Sequence, residues 1–202
     1  MRTAKATLIW VAIALVVAVP VAMAAASPLL KWRDAIYIVA GLAGVLGFAL
    51  MFVQPLLIGG YAPGVPRDKT RGVHRLIGGL IFAAVAVHVV GLWMTSPPDV
   101  IDALLFRSPT LFSPWGVVAM WAIIVVAVMV ALRQSLGFSP RTWRAIHTAL
   151  VSVTIVGTAV HTLLIEGTME PISKAVLCVL VVAVTVKVVA DMRVWRRRAR
   201  RR

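Results

Sequence analysis

Six stretches of this chain, residues 8–26, 35–58, 72–94, 115–132, 143–165 and 172–194, are each predominantly apolar. Each is close to the roughly 20 residues with which a helix crosses the hydrocarbon of a bilayer. Inside a bilayer every backbone N–H and C=O must be satisfied by the protein itself, and apolar runs of this length do so as helices. The expected fold is all-α: a polytopic six-helix transmembrane bundle forming a single domain over residues 1–202, with a short basic tail at 195–202. With 61% hydrophobic residues and a mean hydropathy of +0.96, the chain lies well above the roughly 45 to 50% apolar content of soluble domains.

Local signals refine the segments. The first ends in Ala22, Met23, Ala24, Ala25 and Ala26, which reads either as a retained helix or as a signal-peptide cleavage region. The second carries Gly41, Gly44 and Gly47 at intervals that permit close helix contact, and Gln54 with Pro55 marks its end or a kink. Trp93, Trp115, Trp143 and Trp195 fall at segment ends, where amphipathic rings sit at the interface. The connection from Thr95 to Pro114 is long enough for a short lid.

The net charge of +14 does not point to nucleic acid, because its distribution follows the membrane. With the amino terminus inside, the inner segments hold Arg2, Lys5, Arg67, Lys69, Arg71, Arg75, Arg133, Arg141, Arg144, Arg193 and the six arginines of the tail; the outer ones hold Lys31, Arg33, Arg107 and Lys174. Cytoplasmic loops are the basic ones, so both termini are expected in the cytoplasm of a cell inner or plasma membrane, with the lipid bilayer as partner and the tail against anionic headgroups. Asp34, Asp99, Asp102, Glu166 and Glu170 fall outside. The one cysteine, Cys178, allows no disulfide within the chain.

All four histidines lie in two apolar segments, and in each the two are fourteen positions apart: His74 with His88, and His147 with His161. On a helix fourteen positions rise about 21 Å and return to within about 40° of the same face. With the orientation set by the charge bias, the third and fifth segments both run from inside to outside, so His74 meets His147 at the inner depth and His88 meets His161 at the outer one. A small metal ion needs three or four close ligands, whereas a haem iron needs two axial ones. Two pairs and two haems account for every histidine. The alternatives are a respiratory dihaem cytochrome b subunit, or a haem-free transporter with a histidine-lined path.

Around these ligands, Gly78, Ala84, Gly91 and Gly157 leave room near the ligand faces. Thr154 and Thr158 either accept a histidine ring proton or return their hydroxyls to the helix. Arg75 and Arg144, within a turn of the inner histidines, are candidates to pair with haem propionates, and Arg107 and Lys174 with anions at the outer side. Lys187 either snorkels or pairs with Asp191, four residues on.

The run Arg71-Gly72-Val73-His74 with His88, the run Ser139-Pro140-Arg141-Thr142-Trp143-Arg144-Ala145-Ile146-His147 with His161, and Phe112-Ser113-Pro114-Trp115-Gly116 resemble the ferric-reductase-like transmembrane domain family over roughly residues 35–192. That family includes the membrane portions of ferric reductases and NADPH oxidases. The resemblance implies six helices and two b-type haems in bis-histidine coordination, carried by His74 with His147 and His88 with His161. It implies an oxidoreductase component that moves electrons from inside to outside. No FAD or NAD(P) domain is legible in the chain, so a separate cytoplasmic flavin reductase or a membrane quinol is the expected donor. A periplasmic redox protein, ferric ion or oxygen is the expected acceptor.

Overall fold

The computed structural model describes the backbone of residues 2–198, and positions 199–202 of the basic tail lie outside the described residues. All regular structure in it is helical. The elements are α1 (Arg2–Ala25), a short 3-10 turn (Pro28–Leu30), α2 (Ala35–Gly59), α3 (Arg67–Thr95), α4 (Pro97–Leu104), α5 (Ser113–Ala131), α6 (Pro140–Leu164) and α7 (Pro171–Arg198). Six of them, all but α4, are long and apolar enough to cross a membrane. The protein is a multi-pass, six-helix membrane bundle.

The helices begin where side chains can satisfy the first free N–H groups. Asp34 accepts from the Ile36 amide at 2.7 Å, and Ser139 from the Thr142 amide at 3.1 Å. Glu170, beyond the membrane span, accepts from the amides of Ile172 and Ser173. These bonds hold its carboxyl below the usual carboxylate range. Such caps replace hydrogen bonds that the first turn of a helix cannot make with itself.

Three helices start well before the apolar pattern alone implies, α1 at Arg2, α3 at Arg67 and α6 at Pro140, because their first turns are polar and hydropathy misses them. Helix α2 passes through Pro55 and ends at Gly60, whose φ of 74° closes the helix in the left-handed conformation that glycine adopts freely. Of the two sequence readings of Pro55, a helix end is therefore excluded. The connection between α3 and α5 contains α4, at whose start Ser96 Oγ donates to Asp99 Oδ2 at 2.6 Å.

Packing divides the bundle. Helix α2 lies along α3 and also touches α1 and α7; α6 lies along α5 and touches α7. The central cluster joins Val45, Phe48, Ala49 and Met51 of α2 with Ile81 of α3, Ile155 and Ala159 of α6, and Leu177, Cys178 and Val181 of α7. Large apolar side chains such as Leu76, Val90, Val156 and Val179 remain exposed, the arrangement expected where lipid covers the outside.

Without a hydrophobic drive between helices in lipid, close contact depends on small residues. A Cβ at Gly91 would stand 2.7 Å from the Ala40 Cβ, and one at Gly157 would stand 2.9 Å from the Trp115 carbonyl oxygen. Gly91 thus sets the α2–α3 approach and Gly157 the α5–α6 approach.

Replacing Gly91 with leucine is expected to destabilise the bundle by about 1–3 kcal/mol through overpacking. A Cβ at Gly79 would meet nothing within 4 Å, so Gly79→Ala should leave stability nearly unchanged. The midpoint of unfolding in mixed detergent micelles checks both.

Candidate functional site

Helices α3 and α6 each ride on a different partner, α2 and α5, and no extended packing joins them to one another. Into the space between them project the four histidines, all half-buried. The His74 and His147 ring centroids are 6.2 Å apart with an interplanar angle of 68°. Those of His88 and His161 are 6.5 Å apart at 83°. The pairing requires α3 and α6 to run in the same direction. One pair sits toward the end of the bundle where Lys69, Arg71, Arg75, Arg133, Arg141 and Arg144 gather, here called the basic end, and the other toward the far end.

The far-end pair is anchored by backbone. His88 Nδ1 lies 2.8 Å from the Ala40 carbonyl oxygen, and His161 Nδ1 lies 3.0 Å from that of Phe112. A ring nitrogen facing a carbonyl must donate, which assigns the proton to Nδ1 and leaves the Nε2 lone pair free as a ligand. Two glycines make the approach possible: a Cβ at Gly44 would stand 2.8 Å from His88 Nδ1, and one at Gly116 would stand 2.7 Å from His161 Nδ1. The Phe112 ring also packs edge-on against His161, with centroids 5.5 Å apart.

The basic-end pair has a different environment. Nδ1 of His74 and Nδ1 of His147 are buried without a hydrogen-bond partner, as is Gln54 Oε1. The Gln54 amide donates to the His74 carbonyl oxygen at 3.2 Å. Trp143, one helical turn before His147, stacks beside its ring with an interplanar angle of 10° and centroids 6.1 Å apart. The Arg133 guanidinium lies 4.8 Å from the centre of the Trp143 ring. Arg75 and Arg144 are exposed near this end, and Arg75 shares a shallow groove with Gly72, Leu76, Gly79 and Leu80.

Other sequence candidates take structural places. Thr154 Oγ1 returns to the Leu150 carbonyl oxygen at 3.0 Å, so it orients no histidine. Lys174 Nζ donates to the Leu163 and Ile165 carbonyl oxygens at 3.2 and 2.9 Å, engaging the end of α6 in place of a free anion. Lys187 pairs with Asp191 at 3.0 Å, and the Tyr61 hydroxyl donates to the same carboxylate. Gly78 faces Gln54; the glycines that touch imidazole are Gly44 and Gly116. Neither was singled out as a ligand neighbour in the sequence, because contact across helices depends on rotational register that periodicity does not report.

Among the described residues no three His, Cys, Asp or Glu side chains come together in a way that could hold a metal ion. The arrangement is that of a helical membrane protein with two stacked pairs of facing imidazoles. Residues 40–158, more than half of the chain, match the family described as "Ferric reductase like transmembrane component". The chain belongs to that family, which places it among ferric-reductase-like membrane oxidoreductases. The matched span includes His74, His88 and His147 and stops three residues before His161. Neither a curated protein nor a solved structure gives a match.

Adding a methyl group as Gly44→Ala or Gly116→Ala is expected to push the adjacent imidazole off its carbonyl acceptor, at a cost of about 1–3 kcal/mol. In 15N-histidine NMR the hydrogen-bonded Nδ1–H signal of the neighbouring histidine should vanish while that of its pair partner persists.

Proposed function

We propose that the protein is a dihaem b-type transmembrane electron-transfer component, with His74 and His147 holding one haem at the cytoplasmic side and His88 and His161 holding a second at the outer side. The observation that carries this reading is the spacing of the facing rings. An imidazole–metal bond is about 2 Å and a ring nitrogen lies about 1.1 Å from its ring centre, so two axial imidazoles on one metal ion put their centres about 6.3 Å apart. The two pairs stand at 6.2 and 6.5 Å.

Three further features fit the same group. The α3–α6 space is bounded by helices that pack elsewhere, as a flat macrocycle requires. The donors come two by two, which suits axial ligation and not a small tetrahedral ion. With Nδ1 of His88 and His161 donating to backbone carbonyls, Nε2 is the ring nitrogen of that pair left free to bind iron.

When bound, haem would supply one-electron redox chemistry, and His74 with His147 and His88 with His161 are the residues that would hold it. The chain's own residues set its conditions. Donation from Nδ1 to the Ala40 and Phe112 carbonyls fixes the tautomer and orientation of His88 and His161 and raises their basicity. The apolar walls exclude water. Arg75 and Arg144 supply counter-charge for propionates near the cytoplasmic pair. The basic loops and the tail put both termini in the cytoplasm of an inner or plasma membrane. Residues 1–202 act as one transmembrane domain that takes electrons from a cytoplasmic flavin reductase or a membrane quinol. It passes them to a periplasmic redox protein, ferric ion or oxygen.

Purified protein is expected to show a reduced b-type spectrum with about two haems per chain. His88→Ala or His161→Ala should remove about half of the haem, and His74→Ala or His147→Ala the other half. Colourless, folded wild-type protein would overturn the proposal.

A further inference from the structure

The two pairs differ in what prevents their rings from turning. At the far end each Nδ1 is tied to a backbone carbonyl, Ala40 O for His88 and Phe112 O for His161, and rotation about the Cβ–Cγ bond breaks that bond. At the basic end neither His74 nor His147 has an acceptor for Nδ1. What His147 does have is a stacked neighbour: the Trp143 ring lies within 10° of parallel to it, with centroids 6.1 Å apart.

Trp143 is itself held from the other helix. Arg133, just past the end of α5, places its guanidinium 4.8 Å from the indole centre, within the roughly 6 Å over which a cation is attracted to a ring. Arg133, Trp143 and His147 therefore form a column that ties the α5–α6 connection to one imidazole.

We infer that Trp143 is a positioning residue: clamped by Arg133, it fixes the ring plane of His147 in the role that backbone carbonyls fill for His88 and His161. This rests on the haem reading above. The physical reason is aromatic packing. Parallel rings with centroids 6.1 Å apart lie within the range of a favourable offset stack, which turning the imidazole forfeits, and turning the indole with it breaks the contact with Arg133. The column thereby holds the His147 plane, one of the two that make the 68° angle with His74, without any hydrogen bond to the ring.

The relative orientation of two imidazole planes on ferric haem sets the lowest-field g value in electron paramagnetic resonance, which is a readout separate from activity. The experiment compares the haem-loaded full chain with Trp143→Leu, Trp143→Phe and Arg133→Leu, the two signals being assigned by which one His161→Ala removes. In Trp143→Leu the signal of the His74–His147 site should shift and broaden, while that of the His88–His161 site keeps its position. Trp143→Phe, which retains an aromatic face, should restore most of the wild-type position, and Arg133→Leu should shift the signal in the same direction by less.

A Trp143→Leu protein with both haems and an unmoved basic-end signal would overturn the inference and leave the haem reading intact, as would equal shifts in both signals. If Trp143→Leu does not accumulate, Arg133→Leu decides: a shift confined to the basic-end signal supports the column, and an unchanged spectrum overturns it. Haem-free wild-type protein would overturn the haem reading and this inference together.

Discussion

The site depends on a division of packing partners. Because α3 is seated on α2 and α6 on α5, these two helices can face one another without closing together. In lipid, helices with small residues at their interfaces approach until backbones touch. Here Gly91 and Gly157 direct that approach to α2–α3 and α5–α6, and α7 joins the two halves through Leu177, Cys178 and Val181. The space between α3 and α6 is thus a consequence of where the glycines lie, and the histidines are spaced to span it.

Once that space exists, the polar chemistry of the imidazoles determines how each pair is held. A buried ring nitrogen without a partner is costly, and the far-end pair meets this cost with two carbonyls that belong to other elements. Those bonds are possible because glycine occupies positions 44 and 116, where any side chain would collide with the ring. The basic-end pair leaves both Nδ1 atoms unpartnered and surrounds them with Gln54, Trp143 and Arg133. Two histidine pairs of the same composition thus have different surroundings, and surroundings of this kind are what tune any group that imidazoles hold.

The charged residues divide along the same line between topology and chemistry. Lys174, a candidate for anions in the sequence, is taken up by helix-end carbonyls, and Lys187 makes the pair with Asp191 that its spacing offers. Both contacts lie near span ends, where a long side chain keeps its charge close to the interface. Arg133, by contrast, is indistinguishable in the sequence from any other loop arginine. Its stack on Trp143 arises from the short α5–α6 connection and from the polar first turn of α6, which brings Trp143 back beneath it.

The chain by itself determined the spans, the number of helices and the pairing of its histidines. Hydropathy is a property of single segments, a fourteen-residue interval on a helix fixes a face whatever surrounds it, and parallel direction follows from counting crossings. The matched pairs of His74 with His147 and His88 with His161 were legible for that reason. Tertiary structure decided what stands beside each ring: Ala40 and Gly44 beside His88, Phe112 and Gly116 beside His161, and Arg133 over Trp143. It also showed Thr154 and Lys174 to be engaged elsewhere. These contacts depend on how far each helix is rotated and raised against its neighbour, and in lipid that register is settled by close packing of small residues, which leaves no period in the sequence to read.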